Sequence, residues 1–287
     1  MTSYKLREWI NIDNLYWEML SENPNSIQLL EQYPQRISWK YLSSNPNACN
    51  LLNKNLTKIY WKKISENPNA IKLLKSYPEQ INWFNLSLNP NAIDLLEQNL
   101  DKIVWVYLSE NPNAMHLIKS NLPKISWSLL SLNPNAIDLL TANHDKIDWS
   151  NLSSNPNAID LLVANINESK RDGSDCKINW NKLSANPNAI DLLRANLEES
   201  KSDDSVCKIN WYYLSLNPNA IDLLTANQNK INWPSLCINP NAMDLLEKNQ
   251  DKIDWYWISK NPSIFESGAM ELSEDSSNDI IVKKRKN

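Results

Sequence analysis

Apolar positions recur along this chain at a fixed interval rather than in blocks. Tryptophan sets the phase. Trp17, Trp39, Trp61, Trp83, Trp105, Trp127, Trp149, Trp180, Trp211, Trp233 and Trp255 stand 22 residues apart, except for two intervals of 31. Aligned on Trp, the unit reads W-x-x-L-S-x-N-P-N-A-I-D-L-L-x-x-N-x-x-K-I-x, and NPNAIDLL recurs unchanged from Asn89, Asn133, Asn155, Asn186 and Asn217. Ten full copies run from Trp17 to Asp254, and a shortened one, WYWISKNPSIFE, follows. Self-similarity at a fixed period outranks other fold cues.

Within a unit the pattern predicts two short helices. The residue before Trp is Asn, Asp or Ser in most units, an N-cap preference, so Trp opens the first helix and shares a face with the Leu three residues on. Asn-Pro ends that helix, because a residue before Pro is driven out of the α region. The same Asn is expected to cap a second helix with Pro at its first position. That helix is apolar at Ala92, Ile93, Leu95 and Leu96, with Asp94 as its polar member. Asn99 then stands where a helix often ends in a left-handed residue, a role Asn fills next best after Gly.

Two amphipathic helices this short bury nothing alone, so units must stack. The predicted fold class is all-α, an α-solenoid of about ten 22-residue units, each of two short helices. At ~8–10 Å per helix layer the array is expected to be elongated, on the order of 100 Å long. A leucine-rich repeat is the rival at this period, but no L-x-L strand pattern occurs. The expected organisation is a degenerate N-terminal cap over 1–16, the solenoid over 17–266 and a disordered polar tail over 267–287. Nine-residue polar insertions near 167–176 and 198–207 are expected as loops on one edge.

The LSxNPNAIxLLxxNxxKIxW unit resembles repeats in uncharacterised proteins of large DNA viruses of amoebae and algae, over about Trp17 to Glu266. The spacing of Asn-Pro before Leu-Leu has a looser likeness to leucine-rich variant repeats, which pair an α-helix with a 3-10 helix. Neither resemblance brings an activity. The first implies a viral protein acting inside an infected cell, with a host factor as partner.

Composition narrows the function classes. The net charge of −4 gives no global attraction to nucleic acid or anionic membrane. No apolar run approaches the ~20 residues that span a bilayer, and the first residues lack a secretory signal. An intracellular protein is expected: host cell cytoplasm, the nucleus if the basic run Lys283–Lys286 acts as an import signal, or the virion. Cys49, Cys176, Cys207 and Cys237 lack metal-ligand spacing and are expected as free thiols. His116 and His144 have no repeated nucleophile or carboxylate beside them, and both Gly lie outside the regular units. No enzyme, cofactor or metal site is therefore expected.

Three rows of residues remain as candidates. A basic row comprises Arg36, Lys58, Lys102, Lys124, Lys146, Lys177, Lys208, Lys230 and Lys252, with Gln80 in the same phase. An acidic row comprises Asp94, Asp138, Asp160, Asp191, Asp222 and Asp244. Facing each other, the rows would form modest ion pairs. Standing free, the basic row would suit a phosphate backbone. One carboxylate per layer is too few for Ca²⁺.

The third row is the most variable. The two positions after Trp carry Tyr41, Phe84, Tyr107, Tyr212, Tyr213, Tyr256 and Trp257 in some units and polar residues in others. Exposed aromatics of this kind are typical of binding hot spots. A non-catalytic scaffold for protein–protein interaction is the leading expectation. A self-associating virion or virus-factory component and a helical-repeat RNA binder are the alternatives.

Overall fold

The computed structural model describes residues 4–202 and 207–268, with the backbone alone at 201 and 202. The tail and its Lys283–Lys286 run lie almost wholly outside them. The fold is an all-α repeat solenoid, with twenty-one α-helices and eleven short 3-10 turns among the described residues. Each phased Trp is the first residue of a helix, from Trp17–Glu22 to Trp255–Ile258. Where Asn, Asp or Ser precedes it, that side chain usually caps the helix: Asn82 accepts from the Asn85 N–H at 3.0 Å, and Asp148 from the Asn151 N–H at 3.0 Å.

Two expected cap roles are corrected. In most units the second helix begins at Ile27 or its equivalents, behind the Asn-Pro-Asn turn, so Pro is not its first residue; at Asn111 and Asn261 the Asn does cap a 3-10 turn that Pro112 or Pro262 opens. Asn23 is extended (φ −71, ψ 122), and its side-chain oxygen accepts from the N–H of Asn25 at 3.0 Å instead of capping a helix. Asn99 is not left-handed either, with φ −140 and ψ 51. Its side-chain amide donates to the Leu95 carbonyl at 2.9 Å, replacing the backbone N–H that the ending helix has lost. A 3-10 turn such as Leu100–Lys102 then leads to the next Trp.

The core of each full unit is the Leu or Ile three residues after Trp, the Ala (Ser26 in the first unit) at nine and the Leu or Ile at thirteen. Leu86, Ala92 and Leu96 are fully buried and typify all units. The tryptophans are only half-buried and lie against the margin of this core. Buried polar residues thread it: Ser four and Asn six positions after Trp. They bind each unit to its neighbour. Asn133 donates to the carbonyls of Ser109 and Asn111 at 3.0 and 2.9 Å, and Asn135 to that of Pro112 at 2.9 Å. Ser109 Oγ accepts from the N–H of Ser126 at 2.9 Å.

The same bonds join the last unit to the first. Asn23 donates to the carbonyls of Ser259 and Asn261 at 3.1 and 2.8 Å, and Asn25 to that of Pro262 at 3.0 Å. The N–H of Tyr16 donates to Ser259 Oγ at 2.9 Å. The solenoid is therefore a closed ring of eleven units, not the elongated rod that an open stack would make. At several junctions, such as Trp17–Glu22 with Trp39–Leu42 and Trp180–Ala185 with Trp211–Leu216, successive first helices pack closely, whereas among the described residues no two successive second helices pack as closely. Each unit is thus a wedge, and the first helices occupy the inner circumference.

Residues 4–16 accordingly do not cap an open end. The strand β1 (Tyr4–Leu6) pairs antiparallel with β2 (Phe265–Ser267), Lys5 opposite Glu266. Ile12–Asn14 is the 3-10 turn that the shortened eleventh unit lacks. Leu15 is buried where other units bury Ile37 or Ile103. One unit is thus assembled from both ends of the array, as Arg7 confirms by donating from Nε to the Ser263 carbonyl at 2.7 Å.

The described parts of the two insertions are largely helical rather than the expected loops, and of the first only residues 173–176 are irregular. They prolong the second helices to Ile159–Asp172 and Ile190–Ser202. Their Glu, Ser, Lys and Arg residues suit a helix, and Gly173, left-handed at φ 74, ends the first. Lys170 bridges to Glu199 on the neighbouring extension at 2.6 Å.

Candidate functional site

The basic row does not face the acidic row. No ion pair joins the two among the described residues. Each cation instead lies over the Trp that opens its own unit: Arg36 over Trp17 at 5.0 Å, Lys124 over Trp105 at 4.8 Å, Lys252 over Trp233 at 4.4 Å. The ring quadrupole attracts the charge and the aliphatic stem covers the half-exposed indole. Such contacts contribute about 0.5–1 kcal/mol each at exposed sites. Gln80 breaks the series: Trp61 has Tyr77 beside it at 5.3 Å and no cation over it.

The seven aromatic candidates all lie on first helices, but their surroundings differ. Tyr212 (51% exposed), Phe84 (41%), Trp257 (38%) and Tyr213 (37%) are exposed, whereas Tyr41, Tyr107 and Tyr256 are half-buried. The second position after Trp is not uniformly free of core duty, since Met19, Asn85 and Ser235 are buried there. The inner circumference collects the aromatics into three groups. Phe84 and Tyr107 touch across adjacent units with centroids 3.8 Å apart. Tyr212 and Tyr213 pair edge to face within one unit.

The third group sits at the closure. Tyr256 contacts Trp257 and Tyr16 edge to face, at 5.0 and 5.4 Å. Desolvation, with Tyr41, Glu18 and Glu22 close by, pushes the Tyr256 phenol above its usual pKa. Lys260 pairs with Glu22 across the same junction at 3.1 Å.

Tyr16 (52% exposed), a member of the third group, and Tyr60 (43%), which stands apart from all three, were not expected. They occupy the position before Trp, where most units carry a capping residue. Neither caps its helix, and that break in the Asn/Asp/Ser pattern was the available signal.

The two histidines have different neighbours. His116 meets Glu97 at 2.6 Å on the surface, and His144 lies edge-on to Trp149 at 5.3 Å. Among the described residues no three His, Cys, Asp or Glu side chains come together as metal ligands, and no helix is long and apolar enough to cross a membrane. All four cysteines are free thiols. Cys237 takes the place of the ladder serine and accepts from the Asp254 N–H at 3.3 Å, while burial pushes its thiol up to about 11. Set against known proteins, the chain matches no family model, no curated protein and no solved structure.

Proposed function

We propose that this ring is a non-catalytic scaffold that binds a protein partner through the aromatic groups on its inner circumference. One observation carries the reading. Positions that repeat from unit to unit are consumed by bonds within the ring, while those that vary hold the exposed Tyr212, Tyr213, Phe84 and Trp257. Rigid aromatics on a fixed backbone give contact area at little entropic cost. The resemblance to viral repeats makes a host factor in the infected cell the natural partner.

Closure weighs against end-to-end self-assembly, because a ring has no unpaired solenoid end. Seating of the basic row on tryptophan weighs against a phosphate-binding ladder. The test is affinity capture from infected cells with the whole chain and with a Tyr212→Ala/Tyr213→Ala/Trp257→Ala variant. The reading expects a protein captured by the parent and lost by a variant of unchanged helicity. Identical capture by both would refute it.

A further inference from the structure

Five residues after each phased Trp, at the end of the first helix, lies a row in which charge is rare. Glu22, Glu66, Glu110 and Lys260 are its charged members, and the other units carry Ser, Ala, Leu or Ile there. Two of the three carboxylates are matched by the neighbouring unit. Lys260 pairs with Glu22 at 3.1 Å, and the Asn85 side-chain amide donates to Glu66 Oε2 at 3.1 Å. Asn85 stands two residues after its Trp. The residue in that register beyond Glu110 is Leu129, which has no donor, and the row neighbours of Glu110 are Leu88 and Leu132. Glu110 is half-buried, and its carboxylate has no ion-pair partner among the described residues. Desolvation pushes that carboxyl above its usual pKa, with no cation to oppose the rise.

Resting on the reading that the inner aromatic groups bind a protein, we propose that Glu110, with Phe84 and Tyr107, anchors an arginine side chain of that partner. Phe84 and Tyr107 touch across their units with centroids 3.8 Å apart, and Phe84 is exposed. Glu110 follows Tyr107 by three residues, which places both on one side of the helical turn. Its N–H donates to the Tyr107 carbonyl at 3.2 Å. Asn85, next to Phe84 in the chain, has a buried Oδ1 with no donor. The group thus offers acceptors and aromatic rings without a cation, because Lys102 and Lys124 of the same two units are seated on Trp83 and Trp105. Charge complementarity selects a basic side chain. Among these, Arg both stacks its flat guanidinium on aromatic rings and pairs with a carboxylate through its fork.

The test is fluorescence anisotropy of the full chain with a short labelled peptide of alternating Arg and Gly. Binding should be saturable and should weaken about tenfold in Glu110→Gln and severalfold in Phe84→Ala. Glu247→Gln, the same charge change at the end of the second helix Met243–Glu247, should stay within about twofold of the parent. Circular dichroism checks that the variants fold. Heating separates an anchor from a structural residue. A glutamate held by the ring itself would lose stability as glutamine, whereas an unmatched half-buried carboxylate gains from losing its charge. The Tm of Glu110→Gln should therefore equal or exceed that of the parent. No saturable binding, equal loss in Glu110→Gln and Glu247→Gln, or a lowered Tm in Glu110→Gln would overturn the anchor. Each of these would leave the scaffold reading standing, since capture through Tyr212, Tyr213 and Trp257 tests that separately.

Discussion

Asn23, six residues into the first unit, donates from its side chain to the main-chain carbonyl of Asn261, 238 residues later, at 2.8 Å. Asn133 makes the same bond to Asn111 in mid-array at 2.9 Å. The two ends of the repeat therefore see each other as neighbours. In an open stack the first asparagine would donate to water, and its loss would be harmless.

Closure predicts that Asn23→Ala is as damaging as Asn133→Ala. Each removes a buried amide and leaves buried carbonyls unpaired, a loss of about 1–3 kcal/mol per unsatisfied group. Urea denaturation of both variants checks this. A harmless Asn23→Ala beside a damaging Asn133→Ala would indicate an open array.

Gln80 leaves Trp61 without the cation that covers Trp17, Trp39 and Trp83. Gln80→Lys should stabilise the protein by about 0.5–1 kcal/mol, and Lys124→Gln should destabilise it by a similar amount. At this chain size the shifts in Tm would be about 1–4 °C in opposite directions, measurable by calorimetry.

Cys237 gives the ring an alkaline weakness. Burial chiefly raises its thiol from 9.0 to about 11, with the Asp254 N–H opposing and the Asp254 carboxylate adding to the rise. The folded state therefore holds a proton that the unfolded chain releases sooner. The resulting stability is fully present below pH 9.0 and is lost as pH rises toward about 11. Cys237→Ser restores the hydroxyl found at Ser215 and Ser259. Its melting temperature should fall less than that of the parent across this window.

Gly173 ends the longer extension with φ 74, and a Cβ there would meet nothing within 4 Å. Gly173→Ala therefore tests backbone conformation alone, at a cost of about 1–2 kcal/mol. The loss should appear as faster hydrogen exchange at the end of Ile159–Asp172, with the rest of the ring unchanged.

The period, the helix beginning at each Trp and the buried Leu and Ala were legible because each unit states them again. The roles of Asn23, Asn99 and Lys102 were not. Their residue types suit a cap, a left-handed end and an ion pair equally well, and their actual partners lie on a preceding unit, on the helix just ended and on an indole. Curvature was hidden for a related reason: it depends on the difference in spacing between first and second helices, which a one-dimensional period does not record. Asn11 and Leu15 do fall in the phase of the repeat. They lacked the Asn-Pro-Asn that would have marked them as half of a unit. In the aromatic groups, residue identity was readable, but which rings meet was set by closure.

Lys5 Nζ lies 3.3 Å from Glu266 Oε1, an amine and a carboxylate contributed by β1 and β2. A zero-length carbodiimide joins such groups only while they touch. In a dilute monomer, mass spectrometry after coupling should find the Lys5–Glu266 amide within one chain, beside the Lys170–Glu199 amide expected from the 2.6 Å pair on the extended helices. Recovery of the Lys170–Glu199 link without the Lys5–Glu266 link would contradict the closed ring.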